Sequence, residues 1–412
     1  MSEETKNGGS GLDRSIGFWF LVLYGMGTMV GAGFYALSGK VAGQAGMAAP
    51  LAFGLAGLLA LFSALAFAEL SSRLPHAGGS ARYLEEAFGR LWLSALVGWL
   101  IITTGIVSAA TLAVATVRFI GDFAAVPQAP SILLVALALG GIAAWGVRQA
   151  VGVVVAISVI QIAALVYVAV AATGVPGTPG RDLAELLPPV DPAAWAGILG
   201  AAFLAFYAFI GFEDMVNMAE EVREPRRTLP WALILSLALT AGLYMLVSAL
   251  MVLHIEPETL AGAETPLAEA VRHHGALAVA AIGVVSILSA VNSALVQIVM
   301  VARVGYGMAN RGYAPQIFAT VGERTRTPWV GTVLATGVIA LLAVSMELAT
   351  LANITSGVLL TVFVVVNLGL WWLKGWPESR RPAGQFTLPR SLPLIGAAVS
   401  VAALLFKLSQ AL

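Results

Sequence analysis

Residues 16–37 read IGFWFLVLYGMGTMVGAGFYAL, an apolar run long enough to cross a membrane, with glycines at 25, 27, 31 and 33. A glycine inside a helix costs about 1 kcal/mol relative to alanine, so a helix that only had to lie in lipid gains nothing from four of them. Non-helical backbone at membrane depth is tolerated only where it lines a cavity or is buried in protein. This stretch therefore predicts a transmembrane helix that is broken around Gly31 and Gly33, with a binding site beside the break.

The composition of the whole chain fits a membrane protein. Of 412 residues, 59% are hydrophobic and 11% are charged, whereas a soluble domain carries about 25% charged residues. Apolar runs of spanning length recur along the chain. They predict eleven spans, at about 16–37, 47–72, 91–119, 131–147, 150–173, 193–215, 229–253, 276–302, 329–346, 348–373 and 391–411. The predicted fold class is an all-α integral membrane protein with no separate soluble domain and no cleaved signal peptide.

The distribution of positive charge gives an orientation. With the N-terminus inside, seventeen Lys and Arg residues fall on the cytoplasmic side and five on the other side. This excess agrees with the positive-inside rule. We therefore expect a cytoplasmic N-terminus, an external C-terminus and a location in the cytoplasmic (inner) membrane.

A second interruption lies in the sixth span, where residues 206–214 read FYAFIGFED. Gly211 stands among aromatic residues and is followed directly by Glu213 and Asp214. A carboxylate near the bilayer centre costs roughly 2.5–3.5 kcal/mol, so Glu213 is a candidate functional residue. The alternative is that Glu213 and Asp214 only cap a short helix at the cytoplasmic interface.

The two interruptions occupy corresponding positions, because Gly31 is in the first predicted span and Gly211 in the sixth. Interrupted helices in matching positions of two five-span halves indicate an inverted-repeat transporter. The expected organisation is a cytoplasmic tail (1–14), a first repeat (15–175), a second repeat (190–375) and a peripheral eleventh span (390–412).

Other functional classes fit the sequence less well. The chain has no cysteine and no His-Glu-x-x-His motif, so thiol chemistry and a zinc hydrolase site of that type are excluded, and no cofactor or metal is expected. A channel would need a repeated pore loop or a ring of like charges. A non-transporting sensor or subunit on the same scaffold stays open, although the glycines at both breaks argue against it.

Four stretches together resemble the amino acid–polyamine–organocation superfamily and its bacterial amino acid permeases. They are residues 27–34 (GTMVGAGF), 76–83 (HAGGSARY), 209–230 (from FIGFE to PRRTLP) and 303–309 (RVGYGMA) with Pro315. The resemblance covers nearly the whole chain in the same order. It implies the five-plus-five inverted-repeat fold of the sodium-coupled leucine transporter, with a substrate site between spans one, three, six, eight and ten.

The implied site has two backbone poles. Free N–H groups at Gly31, Ala32, Gly33 and Phe34 would bind a carboxylate at a helix N-terminus. Free carbonyls near Phe206, Tyr207, Phe209 and Gly211 would accept from an ammonium group. The resemblance places Tyr207 as an aromatic lid over the substrate. Thr103 and Thr104 are candidates in span three, with ordinary intrahelical hydroxyl bonding as the alternative.

The sequence does not decide which ion, if any, is coupled to transport. Proton-coupled relatives that resemble cationic amino acid transporters carry a lysine in span five, and that position falls on Gln161, which cannot titrate. The alternative proton carriers are Glu213 and Glu69, although Glu69 is expected to pair with a nearby loop arginine instead. Ser286 and Ser289 could supply hydroxyls to sodium.

The expected substrates are small neutral amino acids, moved by proton symport or exchange. Cationic amino acids or polyamines rank second, because they need a carboxylate for their distal cation and the candidate, Glu213, is expected to lie below the site rather than opposite it. The expected partners are an amino acid, H⁺ or Na⁺ as alternative coupling ions, and membrane lipid, with no nucleic acid. The expected state is a monomer or a weak homodimer.

Overall fold

The computed structural model describes residues 16–75, 79–89, 91–121, 123–145, 151–176, 181–188, 190–322, 327–375 and 385–410. The predicted tail, residues 1–14, lies outside them. Fifteen α-helices form in these segments: α1 (Phe18–Met29), α2 (Ala32–Ala45), α3 (Ala49–Arg73), α4 (Gly79–Phe88), α5 (Leu91–Gly121), α6 (Gln128–Trp145), α7 (Val151–Ala172), α8 (Pro192–Ala205), α9 (Pro225–His254), α10 (Pro257–Gly262), α11 (Pro266–Val271), α12 (Ala276–Asn310), α13 (Trp329–Ser345), α14 (Leu348–Leu373) and α15 (Ser391–Ser409).

The helices confirm an all-α membrane protein. Within the described segments, nine stretches are long and apolar enough to cross a membrane, and α1 and α13 are shorter apolar helices. Each of the eleven predicted spans coincides with one or more of these helices. The number of spans and the inverted repeat stay predictions.

Several buried hydroxyl groups in the spans are satisfied within their own helices. Thr111, Thr116, Ser158 and Thr336 each donate to the carbonyl four residues earlier, at 2.7–2.8 Å. Such bonds remove the penalty of an unpaired hydroxyl in an apolar interior. Large apolar side chains such as Leu134, 69% exposed, face outward and suit contact with lipid.

Small residues bring the helices together. Gly98 and Gly105 on α5 lie against Met308 and Val301 on α12, with no room for a methyl group. At the predicted external side, α2 packs on the short helix α10, where Lys40 Nζ donates to the Ala261 carbonyl at 2.8 Å. Close approach through small residues is the usual packing mode of membrane helices.

A buried ion cluster joins α3, α14 and the connector to α15. The Glu69 carboxylate is inaccessible to solvent and accepts from Arg73 Nη2 at 2.5 Å and from Lys374 Nζ at 2.6 Å. It also accepts from the Leu388 amide at 3.0 Å. Glu69 pairs with an arginine, as expected, but Arg73 is on the same helix and Lys374 is a second cation.

Candidate functional site

The first span is broken where the sequence predicts it. Helix α1 ends at Met29, Val30 and Gly31 have non-helical dihedral angles (φ −71°, ψ 50° and φ −91°, ψ −166°), and α2 begins at Ala32. The N–H groups of the first turn of a helix have no intrahelical acceptor. Three such groups, on Ala32, Gly33 and Phe34, therefore form a buried pole of partial positive charge.

The sixth span is also broken, at Ile210 and Gly211. Helix α8 ends at Ala205 and continues as a 3₁₀ turn over Phe206–Phe209. Gly211 has φ 124° and ψ −18°, a conformation that only glycine adopts without strain. The chain then resumes as a 3₁₀ helix over Phe212–Met218, rather than as an α-helix.

The two breaks contact each other directly. A Cβ atom on Gly33 would lie 2.9 Å from Ala208 Cα, and one on Gly211 would lie 2.6 Å from the Thr28 carbonyl oxygen. The Thr28 hydroxyl lies 3.1 Å from the Gly211 carbonyl. Glycine is required at both positions because a side chain would collide with the backbone of the other broken segment.

Tyr207 covers Gly33 and reaches span three. Its ring carbon Cδ1 would be 3.1 Å from a Cβ on Gly33, and its hydroxyl lies 3.0 Å from Ser108 Oγ on α5. The side chain is only 5% exposed. This position suits the predicted lid, although the role itself stays a prediction. Ser108 is a contact that the sequence did not indicate.

Phe206 and Phe209 are fully buried by aromatic packing. The Phe206 ring makes an edge contact with Phe363 at 6.1 Å, and the Phe209 ring makes one with Tyr244 at 5.3 Å. Their side chains therefore belong to the helix interfaces. Only their backbone carbonyls stay candidates for an ammonium group.

Glu213 is tied to the second break. Its Oε2 atom accepts the Gly211 N–H at 3.0 Å, and both Glu213 and Asp214 are half-buried. This bond fits the capping alternative, which stays a prediction. It does not exclude proton uptake by the same carboxyl group, which stays a prediction.

Gln161 lies behind the first break. Its side chain is 1% exposed, its Nε2 donates to Ser289 Oγ at 2.7 Å, and its backbone carbonyl accepts from the Tyr35 hydroxyl at 2.8 Å. Ser286 is turned to its own helix, donating to the Ile282 carbonyl at 2.8 Å. Gln161 and Ser289 thus join α7 to α12 beside α2.

The hydroxyl groups of Thr103 and Thr104 bond within α5 rather than to either break. Thr103 is exposed and donates to the Trp99 carbonyl, and Thr104 is buried and donates to the Leu100 carbonyl, both at 2.9 Å. These are the intrahelical bonds that the sequence left as the alternative. On the same helix, Ser108 is the residue that contacts Tyr207.

Tyr244 on α9 is a residue that the sequence did not single out. It is fully buried, and its hydroxyl lies 2.7 Å from the Met29 carbonyl and 3.1 Å from the Ala208 carbonyl. Met29 ends α1, and Ala208 precedes the break in the sixth span. One side chain therefore contacts both interrupted segments.

Known proteins similar to this chain are transporters. The profile of the amino acid permease family matches residues 16–409. A cationic amino acid transporter of Arabidopsis thaliana, described as mitochondrial, is 30% identical over 89% of this chain and 63% of its own length. An uncharacterised transporter of Mycobacterium tuberculosis is 30% identical over 93% of this chain and 84% of its own length. Cationic amino acid transporter 4 of Homo sapiens is 29% identical over 87% of this chain and 59% of its own length.

The chain thus spans about three fifths of the length of the plant and human relatives. The family profile, in contrast, extends over nearly the whole chain and over both breaks. A broken first helix, a broken sixth segment and membrane-length helices throughout agree with that match. The chain belongs to the amino acid permease family of the amino acid–polyamine–organocation superfamily, and it is a multi-pass membrane protein of a transporter family rather than an enzyme family.

Proposed function

We propose that the protein carries α-amino acids across the cytoplasmic membrane by alternating access, with the substrate held between the two helix breaks. The observation that carries this proposal is the contact of two opposite backbone poles. Amide groups of Ala32, Gly33 and Phe34 begin one helix, and carbonyl groups of Phe206 and its neighbours end another. A carboxylate fits the first pole and an ammonium group fits the second.

Binding requires α2 and the 206–209 turn to separate. Gly33 packs on Ala208, and Tyr207 covers it from the side of α5. A substrate between the poles would replace these contacts with its own. Tyr207 would then swing from Ser108 to admit the substrate and return to enclose it.

The surroundings of the breaks favour small neutral amino acids. The Tyr207 ring lies beside Gly33, and the Glu213 carboxylate already accepts the Gly211 N–H. A distal cation on the substrate would have to compete for that carboxylate. Cationic amino acids or polyamines are the second candidate class, favoured by the names of the plant and human relatives.

The proposed transport mode is proton symport or exchange, and a proton would need a carrier other than a lysine in span five. Gln161 is held by Ser289 and cannot ionise. Glu213 is the proposed proton carrier, since it is attached to the break that must move. Sodium bound by Ser286 and Ser289 is the alternative.

The test is uptake into sodium-free proteoliposomes, with and without an inward proton gradient. Labelled alanine and serine represent the neutral class, and labelled arginine and lysine the cationic class. Accumulation of neutral substrates driven by the gradient supports symport, and uptake only into preloaded vesicles supports exchange. Absence of both for every amino acid refutes the proposed function.

A matched pair of variants identifies the site. Gly33→Val should abolish uptake, because a Cβ atom there would meet the Ala208 backbone. Gly337→Val is the control, since a Cβ atom at Gly337 on α13 has no heavy atom within 4 Å. Equal uptake by the two variants would place the substrate elsewhere.

A further inference from the structure

We infer that Tyr244 is a positioning residue that holds the end of α1 in register with the 206–209 turn, the turn that carries the proposed carbonyl pole. This inference rests on the proposed function and extends it to a residue outside the breaks. It starts from the Tyr244 hydroxyl, which lies 2.7 Å from the Met29 carbonyl oxygen and 3.1 Å from the Ala208 carbonyl oxygen.

The two acceptors come from different segments of the chain. Met29 closes α1 and also accepts the Gly31 N–H at 2.6 Å, while Ala208 is in the turn before the second break. Carbonyl groups at a helix end have no intrahelical donor. A phenol has one proton to donate, so the Tyr244 hydroxyl is shared between two carbonyls that otherwise repel each other.

The ring of Tyr244 fixes a third part of the site. It stacks on Phe34 with a centroid distance of 4.4 Å and an interplanar angle of 12°, and it meets the Phe209 ring edge-on at 5.3 Å. The Phe34 amide is one of the three that would bind the carboxylate. Tyr244 thus contacts the side chain of Phe34 through its ring, and it contacts Ala208 in the 206–209 turn through its hydroxyl.

The burial of Tyr244 is complete, so water cannot replace its hydroxyl without a change in packing. If α1, α2 and the 206–211 segment move during transport, α9 is bound to move with them through this side chain. The hydroxyl would keep the end of α1 in register with the 206–209 turn while α2 separates from that turn to admit the substrate.

Tyr244→Phe tests this role because it removes the hydroxyl and keeps the ring. We expect the KM for uptake of the preferred amino acid to rise about tenfold or more. The preference for that amino acid over its des-amino carboxylic acid, measured by competition, should fall by a similar factor. A general loss of packing would lower the amount of active protein without changing this ratio.

The matched control is Tyr83→Phe. Tyr83 on α4 is also buried, but its hydroxyl has no hydrogen-bond partner among the described residues. The control should retain the KM and the selectivity of the parent protein. Parental selectivity in Tyr244→Phe, with the parent active, overturns the inference, whereas an inactive parent overturns the proposed function.

If Tyr244→Phe does not fold, hydrogen–deuterium exchange on the parent protein provides the test. Saturating substrate should protect the amides of residues 28–34 and of residues 206–211 together. Protection of one segment without the other would show that Tyr244 does not join them, and would overturn the inference.

Discussion

Replacement of Glu69 by Gln should destabilise the protein far more than loss of an exposed acid, because the Glu69 carboxylate contacts two buried cations. Its carboxylate is fully buried, and the side chains of Arg73 and Lys374 are only 9% and 6% exposed. Glu69→Gln removes the carboxylate that both cations contact in an interior of low dielectric constant. Removal of one partner of a buried pair costs about 3–5 kcal/mol.

Lys374→Met should cost less, about 1.5–3 kcal/mol, the range for loss of hydrogen bonds to a charged group. In that variant the Glu69 carboxylate keeps Arg73 and the Leu388 amide. The double variant should cost less than the sum of the two single ones, because both substitutions remove the same ion pair between Glu69 and Lys374. Coupled neighbours differ from additivity by about 0.5–3 kcal/mol.

The assay is unfolding of purified protein in mixed micelles, followed by tryptophan fluorescence. Glu85→Gln is the control, because Glu85 pairs with Arg311 at 2.7 Å with side chains that are 39% and 51% exposed. An exposed pair contributes about 0–1 kcal/mol. Equal destabilisation by Glu69→Gln and Glu85→Gln, or strict additivity in the double variant, would refute the reasoning.

Three further outcomes follow from the breaks. Gly211→Ala should lower the free energy of unfolding by about 2–5 kcal/mol, because its φ would be strained and its Cβ atom would lie 2.6 Å from a carbonyl oxygen. The control is Gly242→Ala, which has open space around its Cβ atom and should be neutral or slightly stabilising. Gly33→Val should remove substrate binding, measured by scintillation proximity, without preventing insertion; parental affinity would contradict the proposed carboxylate site. Glu213→Gln should flatten any pH dependence of uptake, and an unchanged pH profile would leave Glu213 only as the cap of the Gly211 amide.

The sequence was informative where a structural requirement is local. Gly31, Gly33 and Gly211 stand out because glycine is costly in an apolar helix, and the structure breaks its helices beside them. The eleven apolar runs likewise predicted the positions of the membrane-length helices. Composition and spacing are enough for both conclusions.

The contacts between helices could not be predicted in the same way. Tyr244 stands in the ordinary apolar stretch ALTAGLYMLV, and nothing local marks a hydroxyl that meets two carbonyls from distant segments. Thr103 and Ser108 lie close together on α5, and only the packing of Tyr207 distinguishes them. Side-chain partners across helices depend on rotation and register, which one sequence does not specify.

The central claim is that both poles of an α-amino acid are bound at the two breaks. The most direct measurement is competition for binding of the preferred amino acid by its des-amino acid and by its decarboxylated amine, on the purified protein. Each analogue lacks one pole, so each should bind at least about a hundredfold more weakly, or about 2.7 kcal/mol. An analogue that competes as well as the amino acid would show that one of the breaks does not bind the substrate.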